Sequence, residues 1–144
     1  MRQLCPRQFL AIAACIAGLG LAACTGLFGP TYALRLGYLE TYPSLSVTVP
    51  DTVAVSTDFD VSFHTSGGGC TEVGTTKVAM VDGRTAEIRP YDYFEVNPQA
   101  CTTILQFFPH YARLQFGQAG TATLRVIGAS GDSTITVTRT VVVR

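Results

Sequence analysis

The chain has 144 residues, of which 47% are hydrophobic and 14% are charged, a composition that suits one globular domain and excludes a disordered chain. Ten Lys and Arg residues balance ten Asp and Glu residues without a basic block, so the positive surface that nucleic-acid binding requires is missing. Trp is absent and His occurs twice, which leaves few side chains for acid–base or nucleophilic chemistry. We therefore expect no nucleic-acid partner, no enzyme activity and no cofactor.

The amino terminus has the layout of an export signal. Arg2 and Arg7 precede an uncharged, apolar run of fifteen residues from Phe9 to Ala23, and a charged segment followed by an apolar one is typical of secretory signals. As a helix this run is about 22 Å long, whereas a bilayer core of about 30 Å needs roughly twenty residues. The length favours a cleaved signal over the alternative, a short uncleaved membrane anchor.

The end of this run carries a specific motif. Leu21-Ala22-Ala23-Cys24 resembles the lipobox of bacterial lipoproteins: a branched apolar residue, two small residues and a Cys. The resemblance implies that residues 1–23 are removed and that Cys24 is joined to a diacylglycerol. It also implies a protein tethered to the bacterial cell envelope, with the membrane as its partner through the lipid on Cys24. Thr25, where proteins retained in the inner membrane usually carry Asp, favours the outer membrane.

The remaining cysteines fit an exported protein. Cys5 and Cys15 leave with the signal and lipid occupies Cys24, so Cys70 and Cys101 remain. An even pair in an exported chain predicts a disulfide, with two buried free thiols as the alternative. We expect no metal site, because the pair lacks C-x-x-C spacing and two His residues do not complete a tetrahedral set.

Residues 24–43 are predicted to be the lipidated amino terminus and a partly docked linker, because the stretch is too apolar for a solvated tether. Its periodicity fits either a strand through Tyr32, Leu34, Leu36 and Tyr38 or a short helix through Leu36, Leu39 and Tyr42. So short a segment does not decide between them.

Residues 44–144 alternate apolar and polar side chains between frequent turn residues, which predicts an all-β domain. The clearest apolar sets are Leu45, Val47 and Val49; Phe59, Val61 and Phe63; Ala122, Leu124 and Val126; and Ile135, Val137, Val141 and Val143. Seven to nine short strands are predicted. The spacing of strands and turns resembles that of an immunoglobulin-like antiparallel β-sandwich, although the Cys-Trp-Cys pattern of antibody domains is absent.

Three local features refine this prediction. Asp82-Gly83 favours a tight hairpin turn, and strands running to and from it would place Cys70 and Cys101 at the same end of the domain. Pro109-His110 either turns the chain or interrupts one long strand, and we interpret His110 as a turn residue. Arg139 falls on the apolar side of its alternating segment, so we expect a bulge or an exposed strand end there.

The candidate binding site is the segment from Pro90 to Pro98, which we predict to be a loop. It contains Tyr91, Asp92, Tyr93, Phe94 and Glu95. Aromatic rings offer flat apolar area and carboxylates accept hydrogen bonds, a combination suited to a glycan or a peptide. The alternative is that the rings close the open end of the sandwich.

A catalytic site is not indicated. Asp60, Ser62 and His64 share one strand face, but neighbours on a face lie about 6.6 Å apart, too far for a triad with contacts of about 3 Å. We expect a lipid-anchored, non-enzymatic binding or scaffolding module with a protein or glycan ligand in the envelope.

The alternative is an inhibitor of an exported protease. Gly67-Gly68-Gly69 and Arg89-Pro90-Tyr91 resemble two of the loops of chagasin-like inhibitors, which present them from an immunoglobulin-like fold. The third inhibitory loop of that family, Asn-Pro-Thr-Thr-Gly, is missing.

Overall fold

The structure, a computed structural model, describes residues 29–39 and 47–144. The predicted signal peptide and Cys24 lie outside these residues, as do Ser44 and Leu45. Tyr32–Arg144 forms one compact unit, so the domain begins twelve residues before the predicted boundary at Ser44. Within the described ranges, no helix is long and apolar enough to cross a membrane.

The described residues form eight strands and no helix, which confirms the predicted all-β, immunoglobulin-like sandwich. The strands are β1 (Tyr32–Leu36), β2 (Thr52–Val53), β3 (Phe59–Gly67), β4 (Thr71–Asp82), β5 (Thr85–Glu95), β6 (Gln106–Leu114), β7 (Gly120–Ser130) and β8 (Ser133–Val143). One sheet has the order β1-β5-β7-β8-β2, with β4 also paired to β5, and the other contains β3 and β6. The β5–β7 and β2–β8 pairings are parallel and the others are antiparallel.

The core lies between the two sheets and contains predicted alternating residues from both of them. Phe59, Val61 and Phe63 are buried on β3, and Ala122, Leu124 and Val126 are buried on β7. Each fully buried aliphatic or aromatic side chain of this size contributes roughly 1.5–3 kcal/mol. The alternation thus supplies the driving force for stacking the sheets.

Strand β5 changes partner halfway along one edge. Residues 85–88 pair with β7 and residues 91–95 pair with β1, while the other edge pairs with β4 over almost its whole length. The buried Pro90 stands where the partner changes, and its carbonyl accepts a hydrogen bond from the Gly37 N–H at 2.9 Å. Pro cannot donate to a ladder, so this position suits a break in pairing.

The segment that contains β1 joins both sheets, which decides between the two predicted conformations in favour of the strand. After β1, the Gly37 carbonyl accepts from the Ala129 N–H at 2.8 Å, and the Tyr38 carbonyl accepts from the Ser66 N–H at 2.9 Å. Leu39 is fully buried in the core. The predicted docked linker is therefore an integral part of the sandwich.

The predicted hairpin is confirmed. Strand β4 ends at Asp82 and β5 begins at Thr85, so two residues form the turn. The Arg84 N–H donates to Asp82 Oδ1 at 2.8 Å, and this bond lowers the pKa of the Asp82 carboxyl. The side chain of Asp82, the last residue of β4, thus stabilises the turn by a hydrogen bond to its backbone.

Two local predictions on the later strands are corrected. His110 is not a turn residue: β6 runs without a turn through Pro109 and His110, because β6 is at the edge of its sheet, where Pro is tolerated. The β7–β8 register is unbroken, so there is neither a bulge nor a strand end at Arg139. Arg139 is half-buried opposite Leu124, since a long side chain can pack its stem while its head reaches the surface.

The predicted disulfide is confirmed. Cys70 and Cys101 are bonded, with their Cα atoms 5.3 Å apart in space and a separation of 31 positions in sequence. Cys70 immediately precedes β4, and its carbonyl accepts from the Glu95 N–H at the end of β5 at 3.0 Å. The bond therefore ties the β5–β6 connection to the start of β4.

We predict that replacing both bridge residues, Cys70→Ser and Cys101→Ser, lowers the free energy of unfolding by about 3–4 kcal/mol, because a loop of this length loses its covalent constraint in the unfolded chain. Thermal unfolding of the purified full chain with and without reducing agent measures the effect. The double variant is the control, because its melting temperature should not respond to the reductant. Equal melting temperatures for the oxidised and reduced wild type would contradict the prediction.

Candidate functional site

The predicted binding segment is a strand and not a loop. Tyr91, Asp92, Tyr93, Phe94 and Glu95 form the second half of β5, with β1 on one edge and β4 on the other. Tyr and Phe favour strands, and the backbone groups of this segment are used by two neighbouring strands. Irregular backbone begins only after Glu95.

Alternation along β5 divides these five residues between the two faces of the sheet. Asp92 and Phe94 line a cleft at the end of the sandwich. Tyr91 and Tyr93 belong to the opposite face, where the Lys77 ammonium lies 5.0 Å from the centre of the Tyr91 ring. Glu95 shares the parity of the two Tyr residues. The structure thus places Asp92 and Phe94 in one site and separates them from the other three.

The cleft has a volume of about 540 Å³. Asp92, Phe94 and Thr71 line it together with residues 35–38, 66–68 and 103–105. The Arg35 guanidinium lies 4.2 Å from the centre of the Phe94 ring, a cation–π distance that holds the positive charge beside the cleft. The cleft is therefore mainly apolar, with one acidic and one basic side chain.

Asp92 is the central polar group of this site. Its side chain is 6% exposed, and Oδ1 accepts a hydrogen bond from His110 Nε2 at 3.0 Å and a longer one from the Gly74 N–H at 3.4 Å. Its second oxygen, Oδ2, is buried and has no hydrogen-bond partner. A buried acceptor without a donor costs roughly 1–3 kcal/mol, and more when it is charged, so a donor at Oδ2 would be stabilised.

Gly37 borders both the cleft and Oδ2. A Cβ atom at this position would lie 2.8 Å from Asp92 Oδ2 and 2.5 Å from Thr65 Cγ2, distances that are too short. Only Gly fits here without displacing Asp92 or Thr65. Gly37 thus packs closely against Oδ2, where a side chain could not be accommodated.

His110 holds Asp92 from the opposite sheet. Its ring is almost completely buried, stacks on Phe63 with ring centres 5.7 Å apart, and places Nδ1 2.9 Å from Thr76 Oγ1. Nε2 lies 3.1 Å from Thr65 Oγ1 in addition to its contact with Asp92. Both ring nitrogens are therefore engaged, and residues of four strands meet at this imidazole.

The sequence interpretation missed His110, although a signal for it exists. Phe108, His110, Ala112 and Leu114 are the buried residues of β6 and alternate with exposed ones. A polar residue in an apolar set predicts a buried, hydrogen-bonded side chain. Pro109 obscures this pattern, because a Pro residue also suggests a turn.

Thr76, His110 and Asp92 form a hydroxyl–imidazole–carboxylate chain, but neither Thr76 nor His110 lines the cleft. The chain therefore fits a role in holding Asp92. Asp60, predicted to share a face with His64, accepts two hydrogen bonds from Arg113 at 2.9 and 3.1 Å. Hydrogen bonding to Arg113 lowers the pKa of the Asp60 carboxyl, so this carboxylate is engaged with Arg113 and not with the imidazole of His64.

The segments that resemble a protease inhibitor are not two loops. Residues 67–69 lie at the β3–β4 connection, but Arg89, Pro90 and Tyr91 lie within β5, and Pro90 is buried. The segment that resembles the second inhibitory loop, residues 89–91, is thus part of a paired strand in this protein.

In the part of the chain that the structure describes, no three His, Cys, Asp or Glu residues are grouped so that they could hold a metal ion. Comparisons of the chain with protein families, with curated proteins and with solved structures find no match. The site must therefore be interpreted from its own chemistry.

We predict that His110→Ala lowers the free energy of unfolding by roughly 2–4 kcal/mol, because it leaves the Asp92 carboxylate buried without its main donor and opens a cavity beside Phe63. Urea unfolding measures the change. Arg113→Ala is the control: its partner Asp60 is solvated, so a much smaller change is expected. Equal effects of the two substitutions would show that the buried Asp92–His110 bond contributes no more to stability than the exposed Asp60–Arg113 pair.

Proposed function

We propose that the protein is a lipid-anchored protein of the bacterial envelope whose sandwich domain is a non-enzymatic binding module. Its ligand occupies the cleft at Asp92. The observation that carries the proposal is the buried Oδ2 of Asp92, which lacks a hydrogen-bond partner at the edge of a mainly apolar cleft. Such a combination suits a ligand that brings a hydrogen-bond donor on an apolar body.

The anchor is supported by the sequence. Two Arg residues, a fifteen-residue apolar run and the motif ending at Cys24 follow one another in the order of a lipoprotein signal. The Cys70–Cys101 bond supports an oxidising compartment outside the cytosol, where disulfides persist. Two or three acyl chains bind a membrane stably because each buried methylene contributes about 0.8 kcal/mol.

The chemistry of the cleft supports binding more than catalysis. Asp92 supplies an acceptor, the Arg35 guanidinium supplies donors, and Phe94, Ile104 and Leu105 supply apolar area. The hydroxyl nearest to the buried imidazole, that of Thr76, lies outside the cleft. A protein or a glycan, the two ligand classes expected from the sequence, can each present a donor beside apolar surface.

We predict that Cys24→Ser abolishes lipid attachment and leaves an uncleaved precursor, because the thiol is the group that takes the lipid. Labelling cells with a radioactive or clickable fatty acid, followed by mass spectrometry of the amino-terminal peptide, measures both effects. Cys15→Ser is the matched control within the signal and should be processed normally. Wild-type protein with an unmodified sulfur at position 24 would overturn the anchor.

We predict that Thr103→Trp removes ligand binding, because an indole at this exposed lining position fills the cleft without touching the Asp92–His110 bond. Envelope material that is cross-linked to the protein in the native host, analysed for peptides, for sugars and for lipids, measures binding. Thr138→Trp, an exposed position on β8, and Tyr93→Ala, on the other face of β5, are controls that should retain it. Loss with Tyr93→Ala and retention with Thr103→Trp would place the site on the opposite face.

A further inference from the structure

We propose that the ligand of the cleft is a phospholipid whose headgroup carries a primary ammonium, as in an ethanolamine phospholipid. This inference rests on the proposed function, since it names the ligand of the same cleft and uses the anchor at Cys24. It follows from three features: the pairing of one carboxylate with one guanidinium, the exposed aliphatic residues at the rim, and the short chain that joins the domain to the anchor.

The two charges of the cleft match a zwitterionic headgroup. Arg35 and Asp92 are directly opposite each other in the β1–β5 register, so their side chains emerge from neighbouring points of the sheet. An ammonium carries three donors, one of which can serve the unpaired Oδ2 of Asp92. The phosphate of the same headgroup can accept from the Arg35 guanidinium. A choline headgroup also has a positive charge, but its quaternary nitrogen has no N–H to donate.

The rim of the cleft offers a surface for acyl chains. Ile104 and Leu105 line the cleft and are 67% and 55% exposed. These two adjacent, largely exposed aliphatic side chains offer apolar area directly beside the polar groups of the cleft. Placed at the level of the headgroups, they would contact the acyl region and leave Arg35 and Asp92 facing the polar layer.

The anchor brings this rim within reach of a bilayer. Eight residue steps separate Cys24 from Tyr32, a distance of at most about 29 Å. Tyr32 pairs with Glu95, whose N–H donates to the Cys70 carbonyl, and Cys70 is bonded to Cys101. The start of β1 thus adjoins the segment that carries Ile104 and Leu105, so only a short stretch of chain separates the proposed lipid attachment point from the end of the domain that carries the cleft.

The test titrates the mature, lipidated protein in detergent micelles with dihexanoyl phosphatidylethanolamine and with dihexanoyl phosphatidylcholine. Amide chemical shifts in NMR spectra and the melting temperature report binding. We expect the ethanolamine lipid to bind about tenfold or more tightly than the choline lipid, because the latter has no donor for Oδ2. Equal affinities for the two lipids, or no saturable binding of either, would overturn the inference.

Variants assign the interaction to the two charges. Asp92→Asn should abolish the difference between the lipids. Because Asp92 is buried and its replacement can unfold the domain, the exposed Arg35→Gln provides a second variant that should weaken binding of both lipids. Arg89→Gln, exposed on the same strand as Asp92, should change neither affinity. If Arg35→Gln binds as tightly as the wild type, the phosphate contact is wrong and the inference falls.

A further titration tests whether the protein binds the whole lipid or only its headgroup. Phosphoethanolamine without acyl chains should bind about tenfold or more weakly than the lipid, because the contacts of Ile104 and Leu105 are lost. Equal binding would identify a soluble ligand and overturn the lipid assignment. If both lipids fail while Thr103→Trp still removes cross-linked envelope material, only this inference falls. If both lipids fail and Thr103→Trp has no effect, the proposed cleft falls as well.

Discussion

The hydrogen bond between Asp92 and His110 is the contact on which the arrangement of the cleft depends. It joins β5 of the large sheet to β6 of the small one at 3.0 Å, and the same imidazole reaches Thr65 on β3 and Thr76 on β4. Apolar packing tolerates small sliding movements between sheets, whereas a buried polar network is satisfied only in one alignment. The pair therefore fixes how the two sheets meet at the end of the sandwich where Arg35, Phe94 and Leu105 surround the cleft.

The site also depends on the parity of β5. Side chains alternate between the faces of a strand, so a shift of one residue in the β1–β5 or β4–β5 register would turn Tyr91 and Tyr93 towards the interior and Asp92 towards solvent. Pairing on both edges, the buried Pro90 and the hairpin at Asp82 all oppose such a shift. The chemistry of the cleft is thus a consequence of strand pairing that extends far beyond it.

The sequence predicted the features that depend on neighbouring residues and missed those that depend on distant ones. Alternation through Phe59, Val61 and Phe63 identified β3, and Asp82-Gly83 identified the hairpin, because both signals are local. The segment from Tyr91 to Glu95 was mistaken for a loop, since its flanking Pro and Asn residues suggest turns while its partners β1 and β4 lie elsewhere in the chain. The pairing of Asp92 with His110, eighteen positions apart, depends on how the sheets stack and has no signature in spacing.

The disulfide has a consequence for when the cleft becomes complete. It ties the β3–β4 connection to the segment that leads to Ile104, and a hydrogen bond from the Gly69 N–H to the Thr102 carbonyl, at 3.0 Å, joins the same two stretches through their backbones. In a reducing cytosol the covalent tie does not form, and one wall of the cleft keeps much of its freedom of movement. Formation of the disulfide removes that freedom, so oxidation of Cys70 and Cys101 makes this wall of the cleft more rigid.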